Sequence, residues 1–365
     1  MRRAGRRRVL IAGSVVVAAV AIAAVAIETA LVHGQGGDAG PIELVTLRSG
    51  SYADFRQVLT GETPAAASVP AMLRFPDRPG GRYPAVVVVH TLGGFQEANE
   101  GWLAAALRRS GFATLTYDSF SARRLGQSDL VGARGGPPLA SAVADAFAAL
   151  RLLAGHRRVG ADRIGIVGFS FGGEVAHLTA FEALRSAMVP GASRFAAHVA
   201  TYPAGGYGAR AEPGAYTGAP ILMLLGEKDD NLPVAKVEGY LAYAKEAGHP
   251  APITMVVYPG AVHAWTVPTL VAPRFSAQYG SMRKCPLVLL GGGGPTWLVD
   301  GREQPLDPDA LAACRGPAPA TRWASTRVRA PARPRTRRRS WSVTCVRSVQ
   351  GGVRSCIPTL LECKT

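Results

Sequence analysis

The sequence predicts an α/β fold, with a mainly parallel central sheet covered by helices on both faces. Three observations predict it. Strand-type and helix-type runs alternate along the middle of the chain. Two strand-type runs, 85–89 and 220–225, are apolar throughout rather than alternating; strands buried on both faces read this way. A short apolar run also passes straight into a helix-like stretch through Gly168-Phe169-Ser170-Phe171-Gly172-Gly173.

Strand-type runs lie near 70–75, 84–90, 112–118, 163–168, 196–202, 220–226 and 252–258, and helix-type runs near 97–110, 139–155, 171–187 and 234–248. Among the strands, Ala85 to Val89 is five small or branched apolar residues, and Ile164 to Val167 is short and apolar. Among the helices, 139–155 places Leu139, Val143, Phe147, Leu150 and Leu153 on one face at near-helical spacing. A chain of 365 residues with 48% hydrophobic content can bury one large core. The reading assigns it to 51–314.

The hexapeptide is a G-x-S-x-G turn between strand and helix, the context of the nucleophile elbow in α/β-hydrolases. A serine on so tight a turn sits at strained backbone angles, and its neighbours two before and two after must be small. Gly168 and Gly172 meet that need. The turn also presents the backbone N–H of Phe171 at the helix start, where it can face a developing oxyanion. A serine hydroxyl is a weak nucleophile at neutral pH. An imidazole must take its proton, and a carboxylate must orient the imidazole. Both follow in the order this fold uses. The run Pro220 to Leu225 ends in Gly226-Glu227-Lys228-Asp229-Asp230-Asn231-Leu232-Pro233, and Ile253 to Tyr258 ends in Pro259-Gly260-Ala261-Val262-His263-Ala264-Trp265. Loops after the C-terminal ends of strands are where open α/β sheets place their chemistry. The candidates are Ser170, Asp229 and His263. Asp230 stays open as the acid, and Glu227 reads as a solvated loop charge. His249 lies in a helix-ending turn on the wrong edge of the sheet. His177 and His198 fall inside a helix and a strand and read as structural histidines.

These motifs, together with His90-Thr91-Leu92-Gly93-Gly94 after the first apolar strand and Tyr117-Asp118-Ser119-Phe120, resemble the dienelactone hydrolase family over roughly residues 52–314. The more particular signatures are the GxxDxxxP of the acid loop and the P-G-x-x-H-x-[WF] of the histidine loop. The resemblance implies a Ser170–His263–Asp229 triad. It also implies an oxyanion hole from the Phe171 N–H and a second N–H after His90, at Leu92 or Thr91. The founding members carry a cysteine where this chain has Ser170, and a glutamate where it has Thr91. Both departures fit the serine-bearing, esterase-like branch. The expected activity is hydrolysis of an ester, lactone or related acyl bond, on a small-molecule substrate. Alternatives of the same fold are a peptidase or acyltransferase, or a membrane-tethered binding protein with an idle site.

The formal charge of +16 belongs to the ends of the chain. Residues 1–8 hold five arginines, and 315–365 hold eleven arginines and one lysine against one acid; 9–314 balance 24 basic with 24 acidic residues. A basic nucleic-acid face on the domain is therefore not implied, and nucleic acid is not an expected partner. The basic start followed by 19 uncharged residues, Val9 to Ile27, reads as a signal peptide or signal anchor over 1–27. Ala24-Val25-Ala26 offers a cleavage site, and Arg6 to Leu10 loosely resembles a twin-arginine signal. Either way the catalytic domain is expected outside the cytoplasm, periplasmic or membrane-anchored. Residues 28–50 read as a linker. All five cysteines follow residue 284, which suits an exported protein; Cys285 with Cys314 is the expected disulfide. C-x-x-C and clustered histidines are absent from the sequence, so no metal or other cofactor is expected. The Arg/Pro-rich segment 315–365 reads as a disordered basic tail, with a reading-frame slip as its alternative origin.

Overall fold

The computed structural model describes residues 40–78, 80–125, 139–267, 274–276, 285–307, 309–310, 314, 321–323, 341–347 and 354–360. The signal or anchor segment lies outside them. Among the described residues, no helix is long and apolar enough to cross a membrane. The chain divides into two units, Met1–Val328 and Arg329–Thr365.

The first unit is built on an eight-stranded sheet. In chain order its strands are β1 (Ile42–Ser51), β2 (Ala65–Arg74), β3 (Tyr83–Val89), β4 (Ala113–Tyr117), β5 (Val159–Phe169), β6 (Ala197–Thr201), β8 (Ile221–Gly226) and β9 (Ile253–Tyr258). They lie in the order β1-β2-β4-β3-β5-β6-β8-β9. β1 and β2 are antiparallel to their neighbours, and the six strands from β4 to β9 in that order run parallel. The short strand β7 (Tyr207–Ala209) joins a small second sheet with β11 (Leu287–Leu290), β12 (Thr296–Val299) and β13 (Arg302–Pro305). Cys285 and Cys314 form a disulfide that ties the entry of this sheet to the chain beyond it.

The helices are α1 (Phe55–Leu59), α2 (Trp102–Arg109), α3 (Leu139–Ala154), α4 (Phe171–Leu178), α5 (Glu182–Met188) and α6 (Val234–Glu246). On α3, Val143, Phe147, Leu150 and Leu153 are fully buried against β1, β3 and β5. Burying each such side chain stabilises the fold by roughly 1.5–3 kcal/mol. On β3 and β8 both faces are closed, as their unbroken apolar runs predict: Val87, Val88 and Val89 are at most 1% exposed, and all six residues of β8 are buried.

Three expectations need correction. Residues 42–50 are not linker; they form β1, paired with β2 along its whole length. Only Leu47 faces the core fully, while Ile42 and Leu44 point outward. An edge strand held by backbone pairing gives a weak apolar pattern. The first unit also runs past 314, because β14 (Thr321–Trp323) pairs antiparallel with β10 (Arg274–Ser276). The tail is not wholly irregular: β15 (Trp341–Arg347) and β16 (Arg354–Leu360) form an antiparallel hairpin with Cys345 opposite Cys356. Backbone pairing across two strands forms it without the amphipathic pattern that sequence reading looks for. His198 is a structural histidine, as expected, though not a fully satisfied one. It is buried on β6, with Nδ1 placed 3.0 Å from the Ala176 carbonyl, and Nε2 has no partner among the described residues.

Burial holds the His198 imidazole well below its ordinary value, at about 4 against 6.5. The unfolded chain therefore binds a proton at this residue before the folded chain does. The stability contributed is present above the unfolded value and is lost as pH falls toward the folded one. Between pH 6.5 and 4 the cost grows to about 3 kcal/mol. Denaturant melts of wild type and His198→Gln at several pH values check this: the variant should lose less stability over that window. Parallel curves would rule the group out.

Candidate active site

The site assembles at the C-terminal ends of the parallel strands. Strand order reverses between β3 and β5, so the chain leaving β3 and the chain leaving β5 emerge side by side. Ser170 follows β5 directly and stands at φ 53°, ψ −113°, an angle that a side chain resists. Two glycines make this turn sterically feasible. A Cβ on Gly168 would stand 1.9 Å from the Gly172 carbonyl oxygen, and one on Gly172 would stand 2.5 Å from that of Val89. The start of α4 thus rests on the end of β3 with no room for a methyl group. Backbone bonds hold the turn from the β6 side: Ser170 N donates to Thr201 O at 3.0 Å, and Ala204 N donates to Ser170 O at 2.9 Å.

Asp229 leaves the end of β8 and His263 the end of β9. The structure brings both to Ser170. The Ser170 hydroxyl lies 2.8 Å from His263 Nε2, and His263 Nδ1 lies 2.9 Å from Asp229 Oδ2. His263 is fully buried, while Ser170 and Asp229 are 5% and 3% exposed. The other Asp229 oxygen accepts the Asn231 N–H at 2.8 Å, so the carboxylate is held at both ends. Asp230 is half-buried, and the carboxylate that meets His263 Nδ1 is that of Asp229. Glu227 is an exposed loop charge, as expected, and its carboxylate also accepts the Gly260 N–H at 2.7 Å, while Lys228 N donates to Ala261 O at 2.8 Å. These bonds register the acid loop against the histidine loop.

The loop after His90 lies where the elbow needs it. His90 itself is a buried structural residue. Its Nδ1 is 2.7 Å from the Thr91 carbonyl, its Nε2 accepts the Ser119 N–H at 3.3 Å, and its ring meets Phe120 edge-on at 4.5 Å. The two donors expected in this loop separate. Thr91 gives its N–H to Glu100 Oε1 at 3.0 Å, which removes it from contention. Leu92 N has no acceptor among the described residues, and a turn closed by Gly94 N donating to Thr91 O presents it. Phe171 is the first residue of α4, so its N–H has no helical acceptor either.

Sequence reading missed a supporting set. Tyr202, fully buried at φ 35°, packs its ring edge-on against His263 at 5.3 Å and Trp265 at 4.6 Å. Its hydroxyl hydrogen-bonds Thr266, whose own hydroxyl donates to Asn99 Oδ1 at 2.8 Å. Burial pushes the Tyr202 phenol upward, so it stays neutral. Tyr202 could have been noticed as the residue ending a strand at the active edge; Asn99 and Glu100 carry no sequence signal. Among the described residues no group of acids, histidines and cysteines could hold a metal ion.

The chain matches the dienelactone hydrolase family over residues 69–277, from β2 through the histidine loop to β10. It belongs to that family. The family is one of esterase-type hydrolases on an α/β-hydrolase fold, and the parallel sheet and its helices are that fold. A putative dienelactone hydrolase from Klebsiella pneumoniae is 21% identical, with 61% of this chain and 88% of that one covered at a TM-score of 0.43. Esterase 2 of Thermogutta terrifontis, in a form phosphorylated by paraoxon, is 17% identical over 63% and 86% of the two chains, TM-score 0.43. A dienelactone hydrolase-like promiscuous phosphotriesterase from metagenomic libraries is 18% identical over 63% and 87%, TM-score 0.45. No curated protein matches the chain.

The geometry separates the two aspartates. Asp229→Asn should lower kcat on an ester substrate by roughly 10⁴-fold, because the amide favours the wrong imidazole tautomer. Asp230→Asn should change it by less than about tenfold. If the larger loss belonged to Asp230, the carboxylate assignment would be wrong.

Proposed function

We propose that this family member is an exported serine hydrolase that cleaves an ester, lactone or related acyl bond through an acyl-enzyme on Ser170. The observation that carries the reading is the continuous Ser170–His263–Asp229 hydrogen-bond relay on a strained elbow.

The chemistry follows from the positions. As Ser170 Oγ bonds to the substrate carbonyl carbon, its proton passes to His263 Nε2. The imidazolium so formed keeps its Nδ1–H on Asp229, whose charge stabilises it. The carbonyl oxygen becomes an oxyanion, and the N–H groups of Phe171 and Leu92 are the donors for it. Losing one such donor typically costs roughly 2.7–4 kcal/mol of transition-state stabilisation. Collapse expels the alcohol, which takes the proton from His263 Nε2. The acyl group remains on Ser170. Water then repeats the sequence, giving its proton to the imidazole and releasing the carboxylic acid, which restores the hydroxyl.

Export is supported by the basic, apolar N-terminal pattern of the sequence and by the Cys285–Cys314 disulfide, a bond characteristic of oxidising compartments.

A fluorophosphonate should label the wild-type protein and fail to label Ser170→Ala, and a panel of short-chain esters, lactones and small peptides should show turnover of the acyl esters or lactones. Full labelling of the alanine variant would place the nucleophile elsewhere. A labelled protein that turns over only peptides would move it to another acyl-hydrolase class. Location is checked separately. Protease added to intact cells or spheroplasts should digest the domain; protection until lysis would reject export.

A further inference from the structure

We infer that Glu100 is a positioning residue for the oxyanion hole: its carboxylate grips both ends of the loop that carries Leu92 and aims the Leu92 N–H at the elbow. This inference rests on the proposed serine-hydrolase reading of the site. Glu100 lies in a π-helical turn, Glu97–Gly101, immediately before α2. Such turns are rare and recur at functional sites. The side chain is fully buried. One oxygen accepts the Thr91 N–H at 3.0 Å, and the other accepts the Gln96 N–H at 2.9 Å. The bonded residues bracket Leu92-Gly93-Gly94-Phe95, so one carboxylate closes the loop at its base.

Among the described residues no cation pairs with Glu100. Burial pushes the Glu100 pKa above the ordinary carboxylate value, making it a weaker acid, and the backbone N–H bonds oppose that shift. A carboxylate buried without a counter-ion is costly, and what offsets the cost here is two backbone donors. Glutamine is the same shape but has only one acceptor oxygen. Whichever way its amide turned, an NH₂ would face one of the two backbone N–H groups. The loop requires two acceptors, and only the carboxylate supplies them.

The same turn reaches the other half of the site. Asn99, the neighbour of Glu100, accepts the Thr266 hydroxyl, which bonds the Tyr202 hydroxyl beneath the His263 ring. The π-helical turn therefore sets the oxyanion loop and the histidine loop against one another.

Full-length wild type, Glu100→Gln and Glu100→Asp can be compared on a short-chain p-nitrophenyl ester, in binding of phenylboronic acid as a mimic of the tetrahedral state, in fluorophosphonate labelling and in thermal unfolding. Folded Glu100→Gln should lose about tenfold to a hundredfold in kcat, short of the 10²–10³ for outright loss of a donor. KM should change by less than about twofold, and the boronate should weaken by the same factor as kcat. A folded Glu100→Gln with wild-type kcat and boronate affinity overturns the inference. So does a loss confined to KM. Glu100→Asp keeps the charge but is one methylene too short to reach both amides. If Glu100→Gln does not fold, the same kcat-selective loss must appear in Glu100→Asp, and failure of both to fold assigns Glu100 to stability alone. Wild type that neither turns over the ester nor labels at Ser170 sinks the serine-hydrolase reading itself, and the inference with it.

Discussion

The site depends on one steric constraint: the start of α4 touches the ends of β5 and β3 at backbone-to-backbone distance. With Gly168 and Gly172 lacking side chains, the helix can begin where the strand stops, and Ser170 is forced into a conformation it would not choose. The contact has two consequences. It holds the Ser170 hydroxyl out toward His263, and it places the Val89–His90 carbonyls, and hence the loop beyond them, beside the elbow. Strain of roughly 1–3 kcal/mol in one residue persists because the surroundings over-determine it. Here those surroundings are the β6 end, through Thr201 and Ala204, and the buried sheet beneath.

Around this contact the polar groups form one connected system. Arg123 pairs with the buried Asp145 of α3 at 2.7 Å; Asp145 accepts the Ser119 hydroxyl; the Ser119 N–H meets His90; and His90 meets Thr91. On the far side, Glu174 of α4 accepts the Gly205 N–H at 2.9 Å and so steadies the chain after β6. Buried polar groups of this kind stabilise little in net terms, since desolvation cancels much of each bond, but leaving one unpaired is costly. Their effect is to select a single arrangement of the loops. Backbone donors such as those proposed at Phe171 and Leu92 do useful electrostatic chemistry only when they cannot rotate away.

Much of this was legible in the sequence. The parallel strands announced themselves because full burial on both faces forbids polar residues, as in Ala85 to Val89. The elbow announced itself because a tight turn admits only glycine at defined offsets. Asp229 and His263 were legible from their offsets to Gly226 and Pro259 at strand ends. What escaped has physical reasons. Strand β1 carries its apolar Ile42 and Leu44 outward and relies on backbone pairing, which leaves no periodic signature. Thr91 and Leu92 could not be told apart, since both are backbone donors one residue apart. The choice between them was made by Glu100, nine residues on.

By itself, then, the sequence determined the fold class, the nucleophile turn, the order of serine, acid and base, and the family resemblance. These rest on local rules: burial patterning, glycine sterics and short offsets along the chain. Tertiary structure alone decided which loop N–H stays open for an oxyanion, which side chain backs the histidine, and how Glu100, Asn99, Thr266 and Tyr202 join two loops. Residues 99 and 266 are far apart along the chain, yet their side chains meet at 2.8 Å. Such a meeting is set by strand order and the crossing of loops, and no local pattern encodes it.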